Sequence, residues 1–384
     1  MADLLRQEIA ALATTIVVKV GTRVLTHENG ALNETRIAQL AEEIHEVIQS
    51  GRRVALVSSG AVGAGIGRLG LGKRPTDVSH LQAVAAVGQS LLVEAYERSL
   101  RAFGRHAAQI LLTADDLDNR TSYLNARNTI LTLMVEYGAV PIINENDTVS
   151  VDELQTTFGD NDRLAAIVTN LIQAPLLVLL SDVEGLYNGD PRDPAATVLP
   201  TVDRLDDSIF ELVKDRATGL SKGGMASKLQ AARQATAGGE NVIIASGRAP
   251  GVLAKIIAGE PVGTLVLAQG QLVAARKRWI GFAAQPRGQL VLDGGARRAV
   301  ERQGRSLLAA GILKAIGRFS KGDVVALCDA GGDEFARGLT NYGSEDILRI
   351  RGLKTGEIAE ALGHCPYDEV VHRNNMAVTS LGEG

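Results

Sequence analysis

Seven short apolar runs, most of them separated by a stretch of helical length, constrain this chain more than any other feature. They are Thr15–Val20 (TIVVKV), the start of 53–60 (RVALVSSG), Ala107–Leu112 (AAQILL), 138–143 (GAVPII), 176–180 (LLVLL), 241–245 (NVIIA) and 263–267 (GTLVL). Each is too short for a helix and too uniformly apolar for a strand with a wet face, so each reads as a strand buried on both sides. Between them the apolar period changes. Ile37, Leu40, Ala41, Ile44, Val47 and Ile48 mark one face of a helix stopped by Gly51, and 79–100 and 121–136 read as further helices. Strand alternating with helix predicts an α/β fold with an open, mainly parallel sheet sandwiched by helices.

A chain of 384 residues is long for one core, which predicts two domains. The texture changes near residue 270. A charged segment, RKRW at 276–279, holds the only tryptophan, and after it come short strands broken by glycines: GQLVLDGGA, SLLAAGI, GRFSKGDVVALC and DEFARGL, with a helix at ARRAVERQ. The expected division is 1–268 as an α/β domain, 269–284 as a linker and 285–384 as a small β-rich domain with a C-terminal tail. No apolar run approaches membrane-spanning length and the first residues lack an apolar signal core, so a cytoplasmic protein with no membrane partner is expected. Cys328 and Cys365, the two cysteines, are too few and too far apart for a disulfide framework or a CxxC metal site. The net charge of −4 is split unevenly: 271–384 holds 16 Lys+Arg against 13 Asp+Glu. A polyanion partner for the C-terminal part is only faintly suggested by so small an excess.

The polar residues that need explaining sit at the carboxyl ends of the strands. The run 138–143 leads into Asn144, Glu145, Asn146 and Asp147; after an alternating insert come Asp160, Asn161 and Asp162, at the start of a helix marked by Leu164, Ala165, Ile167, Val168 and Leu171. One acidic residue there is an N-cap, but three polar residues facing a second polar cluster exceed what capping needs. Lys19 lies near the end of its strand, where it either snorkels or aims an ammonium at a phosphate. Ser59 and Gly60 end the next strand, with backbone N–H groups placed for an anion. Ser181 and Asp182 end another. A glycine turn, GLSKGGMASK, then brings Lys228 into the first turn of a helix, where the helix dipole disfavours a cation unless an anionic ligand is present.

Two phosphate-loop patterns in the glycine-rich segment after Gly60 are set aside. Gly65, Gly67 and Gly70 match GxGxxG but lie several residues past the strand with no acidic strand end following, which removes a nicotinamide oxidoreductase. The stretch 67–74 carries Arg74 where a P-loop needs Ser or Thr. No histidine falls in any of the strand-end motifs. Chemistry without a general base is therefore favoured, and phosphoryl transfer to a carboxylate qualifies: such a side chain, with a pKa of about 4.3, is already ionised at neutral pH. What remains is positioning and charge neutralisation by lysines, backbone N–H groups and Mg²⁺.

Taken together, VVKVGTRVLT, VSSGAVGAG, INENDTV, FGDND, SDVEGLY with DP, and GGMASK resemble the amino acid kinase family over 15–268, and within it the branch that phosphorylates glutamate. The segments QLVLDGGARRAV, LLAAGI, GRFSKGDVV and ARGLTNYGSEDI resemble a PUA domain. The resemblance implies transfer of the ATP γ-phosphate to the γ-carboxylate of L-glutamate, giving L-glutamyl 5-phosphate at the entry to proline synthesis, with ATP and Mg²⁺ as cofactors and proline as feedback inhibitor. It also implies catalytic roles for Lys19, Lys228 and Asp162, the carboxylate orienting both ammonium groups. Ser59, Asp147 and Asn161 match glutamate-binding positions, with Gly60, Asn144 and Asp160 completing the candidate substrate site. Ser181 and Asp182 match a nucleotide-contacting pair, and Gly223, Gly224, Met225, Ala226, Ser227 and Lys228 the nucleotide loop, to which Lys19 adds. No residue is assigned to a metal.

The chain departs from the family pattern in two places: Ser58 stands where Thr is common, and Ser221-Lys222 where Gly-Thr is. A homo-oligomer, dimer or tetramer, is expected on the same ground, as are the next pathway enzyme, glutamyl phosphate reductase, and RNA as partners. Two rivals stay open, a kinase of acetylglutamate and an RNA-binding PUA protein with an inactive kinase fold; the 3% aromatic content offers few stacking platforms for the latter.

Overall fold

The apolar runs form the strands that the alternation demands. The structure is a computed structural model and describes residues 3–27, 30–149, 161–213, 224–269, 277, 279–365 and 367–379. It divides into two units, one of Met1–Leu117 with Thr121–Gln271 and one of Asp118–Arg120 with Leu272–Gly384.

The first unit begins α1 (Leu4–Leu12), β1 (Thr15–Val20), α2 (Thr22–Leu25), α3 (Glu34–Gln49), β2 (Arg53–Ser58), α4 (Ala61–Leu69), α5 (Val78–Arg101) and β3 (Ala107–Leu112). It continues α6 (Ala114–Asp118), α7 (Arg120–Val135), β4 (Val140–Glu145), α8 (Asn161–Ile172) and β5 (Leu176–Ser181). The last elements are β6 (Thr201–Val202), α9 (Asp207–Glu211), α10 (Met225–Ala237), β7 (Asn241–Ser246), α11 (Val252–Ile257) and β8 (Thr264–Val266). The sheet order is β3-β4-β2-β1-β5-β7-β8-β6. All its pairs are parallel except β7 with β8. Central strands β1 and β5 are buried along their whole length, as expected for strands covered on both faces.

Register decides where the polar residues go. Lys19 pairs with Val57 of β2 and Leu179 of β5, Val57 with Ile143 of β4, and Ser181 with Ser246 of β7. Parallel pairing thus brings the carboxyl ends of β1, β2, β4 and β5 to one edge, the edge at which open α/β sheets bind ligands. On β1 the residues Ile16, Val18 and Val20 enter the large apolar core shared with α3 and α5. Lys19, being on the opposite face, turns to the side where α8 packs on the strand.

The glycine-rich segment after Gly60 is a helix, α4, and its glycines serve packing. A Cβ on Gly65 would lie 2.0 Å from the Val84 carbonyl oxygen, and one on Gly88 1.7 Å from that of Ala61. Backbone of α4 and α5 therefore touch directly, which only glycine permits. Strand β6 had no signal in the sequence, being a two-residue pairing at the sheet edge.

In the second unit β9 (Gly288–Leu292), β10 (Ile312–Gly317), β11 (Val324–Cys328), β12 (Glu334–Thr340) and β13 (Val371–Val378) form one sheet, ordered β10-β9-β11-β12-β13. Helix α12 (Gly294–Glu301) is capped by Asp293. The small β-rich unit is as expected, with three differences. The segment SLLAAGI is a short 3-10 turn, Ala309–Gly311, leading into β10 rather than a strand of its own. Helices α13 (Ser344–Ile350) and α14 (Thr355–Leu362) bury Ile347, Ile350 and Ile358 in the core. Trp279, read as part of a charged linker, is 6% exposed and opens a π-helical turn, Trp279–Ala283, against β12 and β13.

The α4–α5 contact is testable through stability. Gly88→Ala should destabilise the first unit by about 3 kcal/mol, the upper end of overpacking costs, because a rigid carbonyl cannot retreat from the new methyl. Urea unfolding measures it; an unchanged midpoint would show that the helices separate freely.

Candidate active site

Each strand end contributes by the shortest route available. Lys19 is the penultimate residue of β1, and Asp162 the second residue of α8, which starts where the chain returns to the same edge. Lys228 lies in the first turn of α10. Asp162 is fully buried, and each of its oxygens holds one ammonium: Lys19 Nζ at 2.6 Å from Oδ1 and Lys228 Nζ at 2.9 Å from Oδ2. Both lysines are also buried, at 2% and 5% exposure. Burial alone pushes the Asp162 carboxyl up, but the charges of Lys19 and Lys228 outweigh it and hold the group below the ordinary carboxylate range. The cluster carries one more positive than negative charge, an arrangement that favours a phosphate or carboxylate beside it.

Beside this cluster lies a run of buried amides. Asn161 Nδ2 donates to Ser59 Oγ at 2.9 Å and to Asn144 Oδ1 at 2.8 Å, and Asn144 Nδ2 donates to Gln89 Oε1 at 2.8 Å. The residues come from α8, the β2–α4 turn, β4 and α5. Gly60 precedes α4 in a left-handed conformation, φ 112°, and no side chain caps that helix, so its first-turn N–H groups are left for an anion. Asp147 is buried in the turn after β4. The first oxygen of the neighbouring turn is spent locally: Thr148 Oγ1 donates to Asn146 Oδ1 at 2.6 Å.

On the other flank, Ser181 Oγ donates to Asp182 Oδ1 at 3.2 Å and Arg23 Nη1 to Asp182 Oδ2 at 3.1 Å. Partial burial raises the Asp182 pKa, but the Arg23 bond and charge bring it below the usual value. Gly224 precedes α10 without a side-chain cap, and among the described residues nothing lies within 4 Å of where a Cβ would stand, leaving the N–H groups of Met225, Ala226 and Ser227 at a helix start.

The structure thus brings together Lys19, Asp162 and Lys228, and joins Ser59, Asn144 and Asn161. Gly60 and Asp147 lie at the same sheet edge, as do Ser181 and Asp182, while Gly224 to Ser227 open α10. Asp160 and Gly223 lie outside the described residues, as do Ser221 and Lys222. Three neighbours had no sequence signal: Gln89 and Tyr96 of α5, and Arg23 of α2. Tyr96 is wholly buried with its hydroxyl 3.1 Å from Ser58 Oγ, and Ser58 Oγ donates to the Ser59 carbonyl at 3.2 Å. The bond uses only the hydroxyl that serine and threonine share, so serine at 58 retains it. Among the described residues no three His, Cys, Asp or Glu converge on a point, and no helix is long and apolar enough to cross a membrane.

Comparison with known proteins gives a consistent result. The family model described as the amino acid kinase family matches residues 14–246, and that of the PUA domain matches 288–362. The glutamate 5-kinase of Rhodopirellula baltica is 47% identical over 379 residues, covering 99% of this chain and 97% of its own. That of Syntrophotalea carbinolica is 46% identical, covering 97% and 100%. That of Caldanaerobacter subterraneus subsp. tengcongensis is 44% identical, covering 96% and 98%.

The ionisation of Asp162 sets a pH dependence. Its folded pKa is depressed below the unfolded value of 3.8, so its contribution to stability is complete above the unfolded value and is lost as pH falls through the folded one. The stability difference between the wild type and Asp162→Asn should be flat from about pH 7 to 5 and shrink below about pH 4. Urea titrations across that range measure it; a difference that shrinks already between pH 7 and 5 would contradict a depressed pKa.

Proposed function

Because this chain belongs to the amino acid kinase family, in its glutamate 5-kinase branch with a C-terminal PUA domain, we propose that it transfers the γ-phosphoryl group of ATP to the γ-carboxylate of L-glutamate. The observation that carries this reading is the buried Lys19–Asp162–Lys228 cluster. A carboxylate oxygen of glutamate attacks the γ-phosphorus, the new O–P bond forms as the bond to the β-phosphate oxygen breaks, and ADP leaves. No proton needs to move, since the attacking group is already an anion. Charge redistributes over the transferring phosphoryl group in the transition state, and two ammonium groups held by one carboxylate are fixed in place to meet it.

Substrate selection follows from the other strand ends. The α4 N-terminus behind Gly60, with the Ser59 hydroxyl, suits a carboxylate or the incoming phosphoryl group. Asp147 takes the α-ammonium of glutamate, a positive group brought into a region supplied with lysines. Acetylglutamate lacks that charge, so against it the Asp147 carboxylate gains no charge-assisted contact. Ser181, Asp182 and the start of α10 hold the nucleotide, Asp160 and Gly223 completing the two sites. Mg²⁺ brought in with ATP would supply charge neutralisation on the phosphate oxygens; among the described residues no cluster of His, Cys, Asp or Glu is built to cage it, which suits a cation held mainly by the nucleotide. Proline shares the α-ammonium and α-carboxylate of glutamate and is read as an inhibitor at the same contacts. A cytoplasmic homo-oligomer passing its product to glutamyl phosphate reductase is the setting this chemistry suits, because an acyl phosphate hydrolyses readily.

Release of ADP on mixing with Mg²⁺-ATP and either L-glutamate or N-acetyl-L-glutamate tests the activity directly, and hydroxylamine trapping of the acyl phosphate identifies the product. Turnover with glutamate alone is expected; turnover only with the acetylated substrate would replace this reading. For Asp147→Asn, losing one charge-assisted contact should cost about 2–3 kcal/mol, a rise of roughly 30- to 150-fold in the KM for glutamate with little change for ATP. Proline inhibition should weaken in parallel. Unchanged values for both ligands would remove Asp147 from ammonium recognition.

A further inference from the structure

The run of buried amides has a member that none of the strand-end motifs contains. Gln89 lies in the interior of α5, a helix whose other polar residues are mostly exposed, yet it is only 8% exposed and accepts the Asn144 Nδ2 hydrogen. Its place is fixed from behind. Gly88, next to it, packs against the Ala61 carbonyl, and Tyr96, two turns further along the same face, reaches Ser58. Helix α5 is therefore held to the first turn of α4 and to the end of β2 by contacts that leave Gln89 little room to move.

The amides form a directed sequence. Gln89 Oε1 accepts from Asn144, Asn144 Oδ1 accepts from Asn161, and Ser59 Oγ accepts from Asn161 as well. Each bond dictates the next: with its nitrogen committed to Gln89, Asn144 can offer only its oxygen to Asn161, and Asn161 must then present its nitrogen to both Asn144 and Ser59. Two consequences reach the substrate side. The Ser59 hydroxyl, already accepting, keeps its hydrogen to donate to an anionic group. Asn161 Oδ1 is left as an acceptor, and among the described residues it is buried without a hydrogen-bond partner, as is Gln89 Nε2 at the far end.

A buried unpartnered donor is costly; an apolar residue of similar length would remove that of Gln89 Nε2 but leave Asn144 Nδ2 without its acceptor, so the two penalties roughly offset. Net stability is therefore a poor reason for a glutamine here. We propose that Gln89 is a positioning residue for the amino acid substrate: by fixing the orientation of the Asn144 amide it fixes that of Asn161, so that Asn161 turns its oxygen, and Ser59 its hydroxyl hydrogen, to the ammonium and carboxylate ends of the substrate. Without the Gln89 acceptor, Asn144 gains the freedom to rotate its amide, and a rotated Asn144 would set nitrogen against nitrogen at Asn161. This inference rests on the proposed glutamate site and names what sets its polarity.

The test is steady-state kinetics with urea unfolding on the full chain, comparing wild type, Gln89→Met, Gln89→Glu, Asn161→Ala and the Gln89→Met/Asn161→Ala pair. Gln89→Met should raise the KM for glutamate about tenfold, the scale of one buried hydrogen bond, while the KM for ATP stays and the unfolding midpoint changes little, one unpartnered donor being exchanged for another. Gln89→Glu, which keeps an oxygen for Asn144 Nδ2 in either protonation state, should recover most of the affinity. In the double variant the KM should be no higher than in Asn161→Ala alone, because Gln89 acts through Asn161. An unchanged KM in Gln89→Met, no recovery of affinity in Gln89→Glu, or penalties that multiply in the double variant would each overturn the proposal. A wild-type chain that releases no ADP with glutamate would instead refute the proposed function itself.

Discussion

Burying two ammonium groups on one carboxylate is expensive, and the rest of the first unit is arranged to hold that cluster in place. Removing three charges from water costs several kcal/mol per ion even after relaxation, and apolar residues of similar volume would fill the same space at least as stably. A cluster of this kind, with one positive charge in surplus, makes physical sense where an anion completes it. The fold meets the cost with geometry: Asp162 uses both oxygens, one for Lys19 and one for Lys228, so neither ammonium is buried unpaired. Three elements far apart in sequence must therefore end within a few ångströms of one another.

Parallel pairing and helix packing supply that convergence. β1 lies between β2 and β5 in the sheet, so the strand carrying Lys19 has the least freedom to shift. Helix α8 packs on β1 and against α10, which sets the second residue of α8 against the first turn of α10. Farther along the same pair of helices, Asn170 Nδ2 donates to the Gln234 carbonyl at 3.4 Å. On the other side, the glycine contacts between α4 and α5 hold Gln89 and Tyr96 behind the strand ends. The side chains proposed to meet the ligand thus take their orientation from elements with little play.

Much of this was legible in the sequence because strand ends are marked by an abrupt change from apolar to polar. Lys19 in TIVVKV, Asn144 after GAVPII and Ser181 after LLVLL all stand out against their runs, and their common location at one sheet edge follows from parallel topology alone. Asp162 was legible as more than a cap because it stands beside two other polar residues. What was not legible shares one trait, dependence on a distant partner. Gln89 and Tyr96 occur in a long helix with many polar residues, and nothing local separates a glutamine that faces Asn144 from one that faces water. Arg23 reads as an ordinary surface residue until Asp182 is placed beside it. The glycines after Gly60 resembled phosphate loops because spacing alone does not tell a glycine that admits a phosphate from one that admits a neighbouring helix. Helices α13 and α14 went unread because each is short and buries only one or two isoleucines.

Placing the buried lysines in service of the transition state, rather than of the fold or of nucleotide binding, is most directly tested by steady-state turnover of Lys228→Met, which keeps the length of the side chain and leaves Asp162 paired with Lys19. If the ammonium acts on charge that develops during transfer, kcat should fall on the order of a hundredfold, while the KM values for glutamate and ATP change by less than about threefold. A variant with wild-type kcat and only a raised KM for ATP would contradict the account, reducing Lys228 to a nucleotide contact and leaving the buried cluster without a catalytic purpose.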